Sequence, residues 1–166
     1  MVQNFSEIII TVRRKNDEKE FGRIVQMLLT LIFSRLGFEI IECKLSGRPD
    51  IKVLKNSERY ALEVKAPCAN VTLSSEDIKG TIVEGFEPLI AIFYTASVEP
   101  KWFILDARKI QPGKYIVPSL EQYHVKHLED EINEELPSTT RIYKEDIITG
   151  ENALLKVVKE KISLFL

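Results

Sequence analysis

Three charged residues at two points of the chain have the types and the spacing to act together. Twelve residues separate Asp50 from Glu63, and Lys65 follows two positions later. Because successive side chains of a strand point to opposite faces, Glu63 and Lys65 would share one face of a strand over 60–65. A short turn would pair this strand with another over 50–55, which brings Asp50 opposite its end. The spacing therefore predicts three charged groups at one corner of a sheet.

Two carboxylates at such a corner need a cation between them, because each otherwise raises the pKa of the other. Oxygen ligands of this kind favour a hard divalent ion such as Mg²⁺ or Mn²⁺, which keeps several waters and takes few protein carboxylates. Lys65 would then lie beside a metal-bound water and a phosphate. Its charge could orient the nucleophile and offset the charge that grows on phosphorus. This chemistry is that of a phosphodiesterase.

The elements that must position these residues indicate an α/β fold. Apolar residues recur at helical spacing over 17–36, acidic residues lead the segment and Gly37 follows it, which predicts a long, mostly buried helix. Ser74 and Asp77 have the form of a capping box at the start of a second helix. Residues 7–13 are mainly β-branched, which favours a strand, although so short a segment does not exclude a helix. The predicted order is a strand over 7–13, a helix over 17–36, strands over 38–45, 50–55 and 60–65, a helix over 75–84, and strands over 89–95 and 101–107.

The segment after residue 107 is less regular. Residues 115–117 are typical of a strand, and 121–135 of a helix that ends before Pro137. From Glu151 onward, apolar residues at helical spacing predict an amphipathic terminal helix. Those residues are Leu154, Leu155, Val158, Ile162 and Phe165.

The composition is that of a folded protein with one core. The chain has 166 residues, 45% of them apolar and 29% charged, which excludes a disordered or collagen-like chain and suits a single domain over 1–166. Its two cysteines cannot form a disulfide framework. The net charge is −2, but 1–70 holds 12 basic and 9 acidic residues, against 11 and 16 in 71–166. The net charge argues mildly against a nucleic-acid binder, while the asymmetry leaves room for a local basic patch in the first part.

The chain has no sequence feature of a membrane protein. Its longest apolar run, over 24–33, is far shorter than the roughly 20 residues that a membrane-spanning helix needs. The amino terminus lacks the basic flank, apolar stretch and small-residue cleavage site of a signal peptide. We therefore expect no membrane span and a cytoplasmic location.

Two short motifs resemble the signature of a nuclease superfamily. Pro49-Asp50 followed by Glu63-Val64-Lys65 is similar to the PD-(D/E)xK motif of the restriction-endonuclease-like nucleases. The order of elements over 17–107 resembles their αβββαβ core, particularly that of the archaeal Holliday junction resolvases. The resemblance implies an α/β fold with a mixed central sheet flanked by helices, to which 108–166 adds a C-terminal helical extension.

The resemblance also implies a role for each motif residue. Asp50 and Glu63 would be ligands of Mg²⁺ or Mn²⁺, and the backbone carbonyl of Val64 would be a third ligand. Lys65 would be the catalytic lysine.

Further residues could complete such a site. The family often adds a glutamate from the first helix, for which Glu20 is the candidate and Glu18 the alternative. A basic or polar residue on the helix after the motif also commonly helps, and Lys79 fits this position. Ser46 and Arg48, just ahead of the motif, could contact a DNA phosphate or simply form a turn.

The function implied is a Mg²⁺-dependent or Mn²⁺-dependent endodeoxyribonuclease that hydrolyses DNA phosphodiester bonds to 5′-phosphate and 3′-hydroxyl ends. It would be of the junction-resolving, restriction or repair type and would act as a homodimer, because cutting both strands requires two sites. An RNA-processing nuclease has the same motif. The alternative is a catalytically inactive subunit of the same fold that binds DNA or supports an assembly, which the acidic second part favours.

Overall fold

A computed structural model describes residues 4–161, which form a five-stranded mixed sheet between two unlike layers. The helices are α1 Phe5–Lys15, α2 Glu18–Arg35, α3 Ser75–Lys79, α4 Lys126–Ile142, α5 Lys144–Thr149 and α6 Glu151–Lys161. The strands are β1 Glu39–Cys43, β2 Ile51–Lys55, β3 Glu58–Lys65, β4 Asn70–Leu73, β5 Glu87–Tyr94, β6 Lys101–Asp106 and β7 Gly113–Ile116. The predicted α/β class is confirmed, and α2, β1 to β3, α3, β5 and β6 follow in the predicted order, with the unpredicted β4 inserted before α3.

The central sheet has the order β1-β2-β3-β5-β6. The hairpin of β2 and β3 is antiparallel, as predicted, and pairs Ile51 with Leu62. β3 and β5 are parallel, with Glu63 opposite Ile90, and β6 returns antiparallel to β5. β3 is therefore the middle strand of a mixed sheet.

Helix α2 confirms the long helix expected over 17–36. Asp17 caps its first turn by accepting the backbone N–H of Glu20, and the Glu20 side chain accepts the N–H of Asp17 in return. Gly37, with φ of +90°, then provides the left-handed conformation in which the chain leaves the helix. Both ends of the helix follow from local sequence signals.

The predicted strand over 7–13 is wrong, because these residues belong to helix α1. The side chain of Asn4 accepts the backbone N–H of Glu7 at 2.9 Å and caps the helix. Phe5, Ile8, Ile9 and Val12 are buried at the spacing of one helix face. Tertiary burial with this period outweighs the strand preference of β-branched residues.

A two-stranded ribbon of β4 and β7 lies outside the central sheet, and the sequence did not indicate β4. The helix predicted over 75–84 is shorter than expected: α3 ends at Lys79, although its capping box of Ser74 and Asp77 is present. The buried Thr81 hydroxyl donates to the carbonyl of Ile78 at 2.7 Å, and this local bond replaces a further helical turn.

The C-terminal extension is helical, but its boundaries differ from those predicted. The strand expected over 115–117 is β7, and the helix expected over 121–135 is α4, which continues through Pro137. Burial of Leu136, whose carbonyl accepts the Thr140 hydroxyl, stabilises the helix around the proline. Helix α5 was not predicted. The predicted terminal helix is α6, while Ile162 and Phe165 lie outside the described residues.

The two sides of the central sheet carry separate cores. On one side, which we call the helical face, apolar residues of the strands pack with α1, α2, α4, α5 and α6. On the other side, the site face, a smaller core joins the sheet to the β4–β7 ribbon and to short 3₁₀ helices over Ala107–Lys109 and Val117–Tyr123. No helix in the part of the chain described is long and apolar enough to cross a bilayer.

Candidate active site

Asp50 lies directly before β2 and beside the end of β3. Its backbone N–H donates to the carbonyl of Leu62 at 3.0 Å, and its carbonyl accepts the N–H of Lys44 at 2.7 Å. The carboxylate oxygen Oδ2 accepts the backbone N–H of Val64 at 2.8 Å. The structure thus places the Asp50 carboxylate next to the carboxyl-terminal end of β3, as the hairpin predicts.

Glu63 lies on the site face of β3, two positions before Lys65. Its exposed fraction is 6%, and its buried oxygen Oε2 has no hydrogen-bond partner. Leu62, the preceding residue, faces the helical core, as the alternation of a strand requires. A buried carboxylate oxygen without a donor is costly, so this oxygen is suited to a ligand.

The two carboxyl groups perturb each other. Burial, followed by the charge of Asp50, raises the pKa of Glu63 to about 8. Burial also raises the pKa of Asp50, although the Val64 N–H and the Lys65 charge oppose this. A divalent cation between the two groups would relieve the repulsion.

Asp77 is a third carboxylate at the site and is buried like Glu63, and the sequence indicated it only as a capping residue. Its Oδ1 lies 3.0 Å from Nζ of Lys65 and 2.9 Å from Nη2 of Arg48. Its Oδ2 accepts the backbone N–H of Ser74 at 2.8 Å. Burial opposes ionisation, but the N–H of Ser74 and the Lys65 ammonium lower the pKa of Asp77. Asp77 therefore joins α3, Lys65 and the loop of Arg48.

Gly80 makes room for the Arg48 side chain. A Cβ atom at position 80 would lie 2.7 Å from Cδ and 2.9 Å from Cβ of Arg48. Such distances are closer than van der Waals contact permits, so a larger residue would displace the arginine. The glycine that ends α3 thus lets Arg48 reach Asp77.

Gln26 connects α2 with the strand ends that carry the site. It is buried, and its Nε2 donates to the carbonyl of Lys44 at 2.5 Å and to that of Asp50 at 3.1 Å. Sequence reasoning missed this role, and the signal was one amide within an otherwise apolar helix run. Gln26 ties the start of β2 to the largest helix of the other face.

An open cleft of about 630 Å³ adjoins the site. Lys65, Glu18 and Lys114 line it, together with residues 66–72. Glu20 does not line this cleft, and its side chain caps α2. Of the two glutamates considered for the first helix, Glu18 is therefore the one that shares a cleft with Lys65.

The predicted site residues are only partly brought together. Asp50, Glu63 and Lys65 meet at the end of β3, and Arg48 joins them through Asp77. Ser46 and Lys79 are exposed residues flanking this group in sequence, without a described contact to it.

The residues present fit a divalent metal with few protein ligands. Among residues 4–161, no three His, Cys, Asp or Glu side chains form a metal cluster. Mg²⁺ does not need such a cluster, since it usually keeps several waters and binds one or two carboxylates. The unpartnered Oε2 of Glu63, next to Asp50, supplies that donor set.

Comparisons with known proteins give structural likeness but no match in sequence. No family model matches the chain, and neither does any of the curated proteins. Among solved structures, Hjc of Archaeoglobus fulgidus, described as a Holliday junction resolvase from an archaeal hyperthermophile, is similar with a TM-score of 0.49 and 16% identity. The match covers 61% of this chain and 89% of that one. The roles of individual residues therefore rest on the geometry of this chain.

Proposed function

We propose that this chain is a metal-dependent endonuclease that hydrolyses phosphodiester bonds in DNA. The observation that carries the proposal is the pair of half-buried Asp50 and buried Glu63 at the end of β3, with one Glu63 oxygen unpartnered and Lys65 on the same face. An unmatched pair of carboxylates is destabilising for the protein, which favours a functional reason for its presence.

In the proposed site, Asp50 and Glu63 would hold Mg²⁺ or Mn²⁺, with the carbonyl of Val64 as a further ligand. The bound metal would supply Lewis acidity toward phosphate and a more acidic water. Lys65 orients the nucleophile and offsets charge on the phosphate. Glu18, rather than Glu20, is the better-placed additional carboxylate, because it lines the cleft with Lys65.

We further propose that the cleft beside Lys65 receives the substrate strand and that the enzyme acts as a homodimer. Lys65 and Lys114 place two cationic groups along the cleft. Cationic groups of this kind bind phosphates irrespective of base sequence. One site cuts one strand, so two copies would be needed to cut both.

Cleavage of linear, single-stranded, flapped and four-way-junction DNA, with Mg²⁺ or Mn²⁺, tests the proposal. Lys65→Ala should lower the rate by at least about 100-fold, because it removes a charge from the reacting phosphate. Lys126→Ala is the matched control, since Lys126 is an exposed lysine paired with Asp130. Equal cutting by wild type and Lys65→Ala would refute the assignment, and the preferred DNA would identify the type of nuclease.

A second candidate is a subunit that binds DNA without cutting it. The ion pair of Lys65 with Asp77 favours it, because this pair leaves the lysine partly neutralised. Binding of DNA by wild type with no cutting under any metal would support this candidate. A parallel panel of RNA substrates would separate a DNA nuclease from an RNA nuclease.

A further inference from the structure

Asp77 lies at the centre of the charged groups around the candidate site, although it is not part of the PD-(D/E)xK-like motif. Three carboxylates, of Asp50, Glu63 and Asp77, face two cations, of Arg48 and Lys65. Asp77 is 2% exposed and is the carboxylate that contacts both cations within 3.0 Å. Asp77 therefore links the two cations of the site through one carboxylate oxygen.

We propose that Asp77 is a positioning residue that holds Lys65 in its working orientation and shares its carboxylate with Arg48. The inference rests on the proposed nuclease function and adds to it a residue that does not contact the metal or the reacting atoms. Asp77 acts through Lys65.

The physical need for such a residue follows from the lysine side chain. A lysine has a flexible four-carbon stem with many rotamers, so its ammonium is poorly located on its own. The Lys65 ammonium has three N–H donors and lies 3.0 Å from Oδ1 of Asp77. An ammonium anchored by this ion pair still has donors for a nucleophile and a phosphate oxygen. Preorganisation of this kind matters because a displacement of about 1 Å can cost about 100-fold in rate.

Asp77 is itself well located, which a positioning residue requires. The capping box fixes both its backbone and its side chain: its N–H donates to Oγ of Ser74 at 3.0 Å, and its Oδ2 accepts the N–H of Ser74. Gly80, one turn later, admits Arg48 to the same carboxylate. The short helix α3 thus fixes the carboxylate that contacts both Arg48 and Lys65.

Asp77→Asn is the most direct test, because an asparagine can still accept the Ser74 N–H while its NH₂ group cannot pair with a cation. The first readout is independent of catalysis: the rate of Lys65 acylation by an N-hydroxysuccinimide ester, followed by peptide mass spectrometry. We expect a several-fold faster rate in Asp77→Asn, with Lys114 of the same cleft as internal reference. Glu76→Gln, the same change at the preceding exposed residue, should leave Lys65 as in wild type.

Arg48→Gln gives a second test that does not depend on the folding of Asp77→Asn. Removal of Arg48 leaves the whole carboxylate to Lys65, so acylation of Lys65 should become slower. A Lys65 that reacts at the wild-type rate in both Asp77→Asn and Arg48→Gln would overturn the inference. A rate that falls in Arg48→Gln supports it even if the other variant does not fold.

Activity then distinguishes positioning from a merely structural role. Asp77→Asn removes one negative charge near the phosphate, so DNA binding in Ca²⁺ should be unchanged or tighter. The cleavage rate at saturation should fall by about 10-fold to 100-fold. Loss of binding and cleavage together would indicate a structural role. If wild type never cuts DNA but Asp77 still slows the acylation of Lys65, the proposed nuclease function is refuted. The ion pair between Asp77 and Lys65 is then supported without a catalytic role.

Discussion

Glu129 on the helical face and Glu63 on the site face are both buried glutamates, but their surroundings differ. Oε2 of Glu129 accepts the backbone N–H of Ile104 at 3.0 Å, and Oε1 lies 3.4 Å from Nδ1 of His124. Glu63 instead has a neighbouring carboxylate and an oxygen without a donor. Glu129 joins α4 to the sheet by its hydrogen bond to Ile104. Glu63 has a buried oxygen without a partner, which an added cation would provide.

The same difference extends to the two layers. The helical face buries apolar side chains from five helices, and its buried amide, Gln26, donates to two backbone carbonyls. The site face has the smaller core and concentrates the unmatched charges at the end of β3. The helical face thus contributes most of the apolar burial that stabilises the fold, and the site face carries the charged groups that destabilise it.

The largest stability effect should come from truncation of the helical core. Leu28 is fully buried in α2, so Leu28→Ala leaves a cavity and should destabilise the fold by about 2–5 kcal/mol. Urea unfolding measures this loss. If truncation of Leu105 in the smaller core cost clearly more, the helical face would not be the main source of stability.

The two buried glutamates should respond to neutralisation with opposite signs. Burial and Asp50 raise the pKa of Glu63 from 4.5 to about 8, so between these values the folded chain keeps a proton that the unfolded chain has lost. Stability therefore falls as pH rises through this window. Glu63→Gln should be more stable than wild type by about 2–4 kcal/mol at pH 8, and nearly equal to it at pH 4.

Glu129→Gln is the matched control for this measurement. It weakens the acceptor of the Ile104 N–H and should destabilise the fold at pH 8. Urea unfolding of both variants at pH 4 and pH 8 makes the comparison. If Glu63→Gln were less stable than wild type at pH 8, the claim that the charge of Glu63 destabilises the folded chain would be wrong.

A divalent cation should stabilise the site face specifically. At ten times its dissociation constant, Mg²⁺ should add about 1.4 kcal/mol to the wild-type stability, since it binds only the folded chain. Asp50→Asn should lose this response, and Glu129→Gln should keep it. Thermal melting against Mg²⁺ concentration provides the measurement, and a response retained in Asp50→Asn would place the metal elsewhere.

The smallest effects should come from a pair of glycines. A Cβ atom added at Gly22 in α2 would meet nothing within 4 Å, so Gly22→Ala should stabilise the helix by about 0.5–1 kcal/mol. Gly80→Ala would displace Arg48 and should destabilise by a similar amount. It should also change Lys65 acylation, which Gly22→Ala should not. Melting temperatures of both variants test whether an added Cβ is less well tolerated at Gly80, on the site face, than at Gly22 in α2.

Much of the fold could be predicted because its signals are local. The ends of α2 follow from Asp17 and Gly37, and the β2–β3 hairpin follows from two strand patterns with a turn between them. The placement of Asp50 beside the end of β3 follows from that hairpin. The nature of α1 did not follow, because its β-branched residues favour a strand until the packed helices provide a face to cover them.

The parts of the site that were missed depend on contacts distant in sequence. Asp77 has an evident local role as a capping residue, and no pattern around it indicates Arg48 or Lys65 as partners. Gln26 likewise carries no motif that would direct it to the carbonyls of Lys44 and Asp50. Both become recognisable once the sheet brings these segments together.

The sequence by itself determined the elements with strong local signals and the face of β3 shared by Glu63 and Lys65, since strand alternation depends only on neighbouring residues. Tertiary structure decided which side of the sheet that face occupies, which glutamate of α2 lines the cleft, and that Asp77 pairs with both cations. The reason is physical: the burial and charge of a site are sums over segments that meet only in the folded chain.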